Sequence, residues 1–474
     1  MSHTLRSLFN LDADQTVVGL SADSRQIKPG FIFAALPGTQ MDGRDFIPQA
    51  IKNGAVAILT TPDVEADIPV IGDDNPRLLY AKTAAKLFPG QPKTLVAMTG
   101  TNGKSSTVDF LRQIWAFAGL NAACFGTLGV TSNAGYKPMA HTTPDALALH
   151  QTLSELAVEG VTHAAMEASS HGLQQYRMDC VDISASGFSN LTQDHFDYHP
   201  TMEDYFKAKA RLFIDLTPLN APVVINTNDK YGQHLVEVCK GLGQDVLQVG
   251  WTGADIRIDE VMPHAAGQKI TLIVDGQRHV IDLPLAGEFQ VLNAVAALGL
   301  AIKTGVHKSK AIKALSKLKG VAGRLELAGA KSGAPIYVDF AHTEDGLDKL
   351  IRSVRPHTMG EIVIVFGCGG DRDPDKRPKM GAVSAKLADQ VIVTDDNPRT
   401  ENAADIRKAV MAGCPNASEI GDRRAAIADG IKRLGPKDCL VIAGKGHEQG
   451  QIIGDQTIPF SDVDVVRDIL EEIK

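Results

Sequence analysis

A chain of 474 residues is too long for one ordinary hydrophobic core and points to about three domains. With 44% hydrophobic and 22% charged residues it reads as a soluble globular protein, and a net charge of −8 argues against nucleic-acid binding by bulk attraction. Cys124, Cys180, Cys239, Cys368, Cys414 and Cys439 include no C-x-x-C pair, which excludes a zinc or redox motif and leaves reduced thiols.

In chain order, residues 1–91 form the first expected domain, with short strand-like runs at 31–36 and 55–59 between Gly and Pro. Its N-terminal stretch lacks the apolar run of a signal peptide. Phe88-Pro89-Gly90-Gln91-Pro92 reads as a linker. The second domain, 92–322, opens with the buried strand Leu95-Val96-Ala97-Met98-Thr99, followed by a Gly-rich turn. Val108, Leu111, Ile114 or Trp115, and Ala118 are spaced for one helix face. Strand-like runs at 163–166 and 222–225 alternate with helical stretches, which implies a parallel sheet covered on both faces. The apolar run 291–302 is broken by Asn293 and is too short to cross a bilayer. A cytoplasmic protein is expected, monomeric, with no membrane or nucleic-acid partner.

The third domain, 323–474, repeats one pattern, an apolar run followed by polar or Gly-rich residues. Ile336-Tyr337-Val338 leads into Asp339-Phe340-Ala341-His342, and residues 362–366 into Gly367-Cys368-Gly369-Gly370-Asp371-Arg372-Asp373. Residues 391–394 lead into Asp395-Asp396-Asn397-Pro398-Arg399, and 440–443 into Gly444-Lys445-Gly446-His447-Glu448. Open α/β sheets bind ligands at the carboxyl ends of their strands, so four such clusters suggest one crevice built by four loops.

Thr99-Gly100-Thr101-Asn102-Gly103-Lys104-Ser105-Ser106 lies between a predicted strand and a predicted helix. Glycines let backbone N–H groups turn toward phosphate oxygens, and the helix N-terminus adds a positive dipole end. Lys104 suits the outer phosphates and the Ser105 hydroxyl suits Mg²⁺. Met98 stands where the full phosphate-loop pattern has its first glycine.

Gly100-Thr101-Asn102-Gly103-Lys104-Ser105 resembles the nucleotide loop of the Mur ligases, which join amino acids to UDP-N-acetylmuramoyl peptides. The resemblance continues through Asp23-Ser24-Arg25, Asp42-Gly43-Arg44, Thr142-Thr143-Pro144, 167–173, Asn190-Leu191, Asp194-His195, Asp197-Tyr198-His199 and Arg324-Leu325-Glu326. Asp396-Asn397-Pro398-Arg399 and 444–448 are most similar to the diaminopimelate-adding members. The chain departs from the usual family form at Ser105-Ser106, Phe340, Glu344 and Gln290.

The resemblance implies an α/β fold of three domains. These are a small uridine-binding domain, a central ATPase domain of the phosphate-loop type with a mostly parallel sheet, and a Rossmann-like C-terminal domain. It implies ATP-dependent addition of meso-2,6-diaminopimelate to UDP-N-acetylmuramoyl-L-alanyl-D-glutamate, through an acyl phosphate, with ADP and phosphate as products. Two anions meet in the first step, so two Mg²⁺ ions are expected. The implied metal-site residues are Ser105, Glu167, His195 and Lys209. Lys209 would serve as a carbamate formed with CO₂, the Tyr-x-x-x-Lys spacing selecting it over Lys207. Lys104, Glu167, His195 and Lys209 are the implied catalytic group.

ATP would contact 100–106 together with Asn293, Arg324, Asp339 and His342, the two sets lying in different domains that close on the nucleotide. The UDP-muramoyl peptide would meet Ala22, Ser24, Thr39, Gln40, Met41, Thr142, Thr143, Ser169, Gln175 and Arg177. Diaminopimelate would meet Arg372, Asp396, Asn397, Pro398, Arg399, Gly444 and Glu448. Diaminopimelate carries one carboxylate more than lysine, and the Arg399 guanidinium fork suits it. The alternatives are a lysine-adding ligase of the same family, a folylpolyglutamate synthase-like ligase, and a non-catalytic ATP-binding protein.

Overall fold

The computed structural model describes residues 3–38, 41–139, 141–192, 198–264 and 267–473. The chain divides into two compact units, Met1–Val249 with Gly299–His307, and Gly250–Leu298 with Lys308–Lys474.

In the first unit, Gly19–Ser21 (β1), Phe31–Ala34 (β2), Ala55–Thr60 (β3) and Val70–Gly72 (β4) pair in parallel in that order. The strand expected over 31–36 stops at Ala34, because the chain folds back and Leu36 N–H donates to the Ala34 carbonyl. Helix Pro76–Leu87 (α1) starts at an Asn75 cap with proline in its first turn, and it buries Tyr80, Ala81 and Ala84 against Leu20, Ile32 and Leu59. The expected linker follows it as irregular chain.

The next sheet is built from Thr94–Thr99 (β5), Ala122–Gly126 (β6), Gly129–Ser132 (β7), Gly135–Lys137 (β8), His163–Glu167 (β9), Ala185–Phe188 (β10), Val223–Asn226 (β11) and Val246–Gly250 (β12). Their order is β8-β7-β6-β9-β5-β10-β11-β12, antiparallel only at β8-β7-β6. Alternate residues of β5 face opposite sides. Leu95 and Ala97 join a core with Ala146–Val158 (α3), Met202–Arg211 (α5) and Lys230–Gly241 (α6), whereas Met98 points to the side of Leu300. Between α3 and α5 lies the short helix Ser170–Gln174 (α4). Lys104–Phe117 (α2) buries Val108, Leu111, Ile114 and Trp115, and the Trp115 indole donates to Thr304 Oγ1. Ala118, expected on the packed face, instead caps the helix and is half-buried.

The second unit begins with an antiparallel meander, Ile256–His264 (β13), Gly267–Val274 (β14) and Gln277–Leu283 (β15). The apolar run around 291–302 forms helix Glu288–Lys303 (α7). Among the described residues no helix is long and apolar enough to cross a membrane. Lys308–Leu315 (α8) precedes a sheet made of Glu326–Lys331 (β16), Ala334–Asp339 (β17), Ile362–Phe366 (β18), Gln390–Val393 (β19), Ser418–Glu419 (β20) and Cys439–Ala443 (β21). The order is β16-β17-β21-β18-β19-β20, antiparallel only at β16. Ile362, Ile364 and Phe366 face a core that contains Leu347, Met380 and Val410, while Val363 and Val365 face Ile427, Ile431 and Val466. The sheet is therefore covered on both faces, and Gly450–Ile453 (β22) and Gln456–Pro459 (β23) form a separate two-stranded hairpin. Strands β17, β21, β18 and β19 are consecutive neighbours, so the four polar clusters read from the sequence emerge side by side.

Candidate active site

The turn from β5 into α2 depends on glycine. Gly100 has φ +144, and a Cβ there would stand 1.9 Å from Ser189 Oγ; Gly103, with φ +85, caps the helix. The end of β10 pins the turn from one side. Thr101 N–H donates to the Asn190 carbonyl at 2.8 Å, Asn102 N–H to Asn190 Oδ1 at 3.1 Å, and Ser189 Oγ to the Asn102 carbonyl at 2.6 Å. Lys104 Nζ folds back over the turn, donating to the carbonyls of Gly100 and Thr101 at 3.0 and 2.9 Å. Ser106 is buried, and Ser105 faces the neighbouring strand end.

That strand end carries Glu167, paired with Met98 in the sheet and only 2% exposed. Ser105 Oγ donates to Glu167 Oε1 at 2.9 Å. Thr127 N–H reaches the same oxygen at 2.9 Å, and Thr127 Oγ1 reaches Oε2 at 3.2 Å. Thr142 Oγ1 shares a hydrogen bond of 2.9 Å with Thr127 Oγ1. Thr143 Oγ1 donates to the Glu167 carbonyl and accepts from Ser169 N–H, which joins Thr142-Thr143 to the start of α4. Arg177 Nη1 donates to the Thr143 carbonyl at 2.7 Å, its Nη2 to Gln175 Oε1 at 2.7 Å, and Gln175 Nε2 to the Tyr198 hydroxyl at 3.2 Å. Thr142, Thr143, Ser169, Gln175 and Arg177 thus form one connected network beside Glu167.

Helix α5 places Tyr205 and Lys209 on one face and leaves Lys207 exposed. Lys209 is 1% exposed; its Nζ donates to the Gly100 carbonyl at 2.9 Å and lies 4.4 Å from the Tyr205 ring centre. Lys104, Glu167 and Lys209 therefore all bear on the Gly100–Ser105 turn. His195 lies outside the described residues. Among the described residues no group of three His, Cys, Asp or Glu side chains is arranged to hold a metal ion. The oxygens around Glu167 are one carboxylate and the hydroxyls of Ser105, Thr127 and Thr142. These are hard donors, which fit Mg²⁺, an ion that takes few ligands from protein and keeps water and phosphate oxygens.

In the N-terminal sheet, Ala22 is exposed and Ser24 is buried at the carboxyl end of β1, with the Ser24 carbonyl accepting from Asn53 Nδ2. Met41 is 72% exposed, and Thr39 and Gln40 lie outside the described residues. Asp23 and Asp42 each cap a short turn and grip the arginine two residues on, Arg25 at 2.8 Å and Arg44 at 2.6 Å. The two Asp-x-Arg motifs are therefore turn-forming pairs, and they hold the carboxylates of Asp23 and Asp42 below the usual range through the arginine hydrogen bonds.

In the second unit, Asn293 Nδ2 donates to Gln290 Oε1 at 3.0 Å, and Gln290 Nε2 donates to the Arg324 carbonyl at 3.3 Å. Arg324 stacks on the Phe340 ring at 5.0 Å. Asp339 accepts from Leu325 N–H and Ala341 N–H, both at 2.7 Å. Burial pushes its carboxyl up from the usual value, against the opposing pull of these N–H groups and of Arg324. His342 lies exposed beside Phe340, its ring 4.7 Å away. Asn293, Arg324, Asp339 and His342 thus cluster.

The diaminopimelate candidates gather at the ends of β18, β19 and β21. Asp396, Asn397 and Pro398 are buried, and Arg399 adopts φ +53 with Nη1 donating to the Gly370 carbonyl at 2.8 Å. Asn397 Nδ2 donates to Glu448 Oε2 at 2.9 Å. Gly444 has φ +113, and a Cβ there would meet Asp396 Oδ2 at 2.7 Å. Arg372 is exposed and bonds within its own turn, to the Asp371 carbonyl at 3.1 Å.

Sequence reasoning missed Thr127, Lys445 and the fully buried pair Arg423–Asp462. Arg423 donates to the carbonyl of Asp395, the first residue of one site loop, and to that of Ala443, the last residue before another. The only sequence signal for Thr127 is its place just past β6, and nothing in the spacing connects Arg423 with Asp462.

A glycine turn that carries two lysines on its carbonyls and a serine bonded to a carboxylate on the adjacent strand, within three α/β domains, defines an ATP-dependent ligase. The chain belongs to the Mur ligase family. Residues 16–92 match the family model "Mur ligase family, catalytic domain", residues 98–301 the "Mur ligase middle domain", and residues 323–446 the "Mur ligase, glutamate ligase domain". The chain is 51% identical to the UDP-N-acetylmuramoyl-L-alanyl-D-glutamate–2,6-diaminopimelate ligase of Agrobacterium fabrum, over 96% of this chain and 94% of that protein. It is 47% identical to the Caulobacter vibrioides ligase of the same name, over 100% of both chains. A solved structure of a ligase of that name superposes with TM-score 0.76 at 32% identity, covering 100% of this chain and 99% of the other. The folylpolyglutamate synthase of Thermotoga maritima shares the fold alone, at TM-score 0.63 and 17% identity, covering 79% of this chain and 91% of the other.

Proposed function

We propose that this chain joins meso-2,6-diaminopimelate to UDP-N-acetylmuramoyl-L-alanyl-D-glutamate at the expense of ATP, giving ADP and phosphate, as a cytoplasmic monomer in peptidoglycan precursor synthesis. The observation that carries this reading is the 51% identity to a ligase of that name along 96% of the chain. The functional domains are taken as 1–91, 92–322 and 323–474.

A carboxylate oxygen is a poor leaving group, so the peptide carboxylate is first phosphorylated and the amine then displaces phosphate. The backbone N–H groups at the start of α2 hold the nucleotide phosphates, and Lys104 leaves its carbonyl partners to reach the outer ones. Ser105 and Glu167 would hold one Mg²⁺ and His195 and carbamylated Lys209 a second, and the bound metal would supply charge neutralisation between the two anions. A carbamate at Lys209 keeps one N–H for the Gly100 carbonyl and replaces a cation by an anion with two oxygens, which is what a metal needs. Arg177, oriented by Gln175, is set to pair with the peptide partner, with Thr142, Thr143 and Ser169 lining its approach. Asn293, Arg324, Asp339 and His342 serve the nucleoside end.

Arg399 reads the carboxylate that distinguishes diaminopimelate from lysine, since lysine would leave the guanidinium without an anion. Asp396 takes the adjacent ammonium, and Arg372 and Glu448 complete the contacts. Phosphate release with the UDP-muramoyl dipeptide, ATP and either diaminopimelate or lysine tests the reading. Turnover with diaminopimelate alone is the expected result; turnover with lysine alone would move the chain to the lysine-adding ligases.

A further inference from the structure

We propose that the hairpin β22–β23 is the clamp that sets Arg399 for diaminopimelate, with Gln451 as its positioning residue. The inference rests on the reading that the loop 396–399 receives the amino acid.

Four hydrogen bonds tie the hairpin to that loop. Gln451 Nε2 donates to the Asp396 carbonyl at 2.7 Å, and Ile452 N–H donates to Asn397 Oδ1 at 2.9 Å. Arg399 N–H donates to the Ile452 carbonyl at 3.1 Å, and Gly454 N–H donates to the Arg399 carbonyl at 2.7 Å. Arg399 thereby has both backbone groups bonded to the hairpin. It stands at φ +53, a left-handed conformation that a residue with a long side chain holds only when its surroundings fix it.

The hairpin has little core of its own. Strand β23 is exposed along its length, and Ile453 and Ile458 are each 45% exposed. A two-stranded hairpin in water is marginal alone. Loop and hairpin therefore order one another, and a ligand that engages Arg399 stabilises both. Gln451 carries the one of these four bonds that a hairpin side chain makes. It is half-buried in the hairpin, so it can be changed without opening the core.

The test measures phosphate release by the full-length protein against diaminopimelate concentration, with ATP and UDP-muramoyl dipeptide saturating. Gln451→Glu keeps the shape but cannot donate to the Asp396 carbonyl, whereas Gln451→Lys can. Losing this bond should raise the diaminopimelate KM of Gln451→Glu about tenfold, with kcat and the ATP KM within about twofold of the parent, and Gln451→Lys should recover most of the loss. Hydrogen exchange at Ile452 and Gly454 should slow when diaminopimelate joins the complex with an inert ATP analogue and the UDP-dipeptide. An unaltered Gln451→Glu enzyme, equal impairment of both variants, a fall in kcat without a KM change, or exchange indifferent to diaminopimelate would overturn the clamp. Arg399→Ala, assayed alongside, reports on the underlying reading: if that variant turns over diaminopimelate normally, the reading itself fails, whatever Gln451 does.

Discussion

The Lys445 ammonium, with no exposed surface, stands 2.9 Å from the Glu448 carboxylate. The same nitrogen donates to Asn397 Oδ1 at 2.9 Å, so one cation bridges loops that leave β21 and β19, two strands separated by β18. Glu448 keeps 34% of its side chain exposed, so removing Lys445 leaves a carboxylate that water partly reaches, and losing the charged hydrogen bonds costs about 1–3 kcal/mol. Lys445→Met should lower unfolding stability by that amount, read from denaturant midpoints. It should also raise the diaminopimelate KM, because Asn397 and Glu448 lose their common anchor. A variant with parental stability would show that Glu448 is neutralised by another group.

Arg399 is the residue expected to separate the two amino-acid substrates. Among the described residues its Nη1 bonds a neutral carbonyl, that of Gly370. Arg399→Ala should reduce diaminopimelate use by up to about 10⁴-fold, since a site built around a charged group loses heavily when one partner is missing. ATP binding, followed by nucleotide titration, should persist. Near-normal turnover of this variant would move specificity elsewhere.

Glu167 already accepts hydrogen bonds from Ser105 and Thr127 in a nearly closed position. Glu167→Gln preserves the size of the side chain and an oxygen for these donors but removes the charge. The expected loss in kcat is about 10²-fold or more, with the thermal midpoint little changed. Raising the Mg²⁺ concentration should recover part of the activity if the residue serves the metal; a loss that no Mg²⁺ concentration relieves would reassign it to packing.

Local signals in the sequence were legible because they are local in cause. The glycines at 100 and 103 and the apolar run before them mark a strand, turn and helix, and the helix phase that turns Lys209 inward and Lys207 outward follows from their spacing. The four polar clusters likewise fell at adjacent strand ends. Strand order itself was not legible, so Lys445 could not be connected with Asn397, nor Arg423 with Asp462, across 48 and 39 residues. The Asp-x-Arg motifs carry part of the family resemblance, and their cause is local: each aspartate closes its own turn.

Asp339 gives a pH signature of known sign. Burial raises its carboxyl above 3.8 in the folded protein, so its contribution to stability is fully present below 3.8 and is lost as pH rises through the folded value. Relative to Asp339→Asn, the parent should therefore gain stability as pH falls through that window. Urea midpoints of the two proteins at a series of pH values measure this, and a constant difference would mean that the carboxyl titrates normally.

Lys209 carries the most specific chemical prediction. As an amine, its buried Nζ places a cation against the carbonyl of Gly100, on the turn that also holds Lys104. As a carbamate it supplies the anion that a second metal requires. Intact and peptide mass spectra taken without acid should show one added CO₂ at Lys209, and removing bicarbonate should lower activity reversibly. Lys209→Ala should lose about 10²-fold or more in kcat, and short carboxylates such as formate or acetate should restore part of it by occupying the vacated anion position. The rescue separates a missing charge from a damaged helix, because a small anion cannot repair packing around Tyr205. An active Lys209→Ala enzyme indifferent to added carboxylates would mean that the buried amine only braces the phosphate turn.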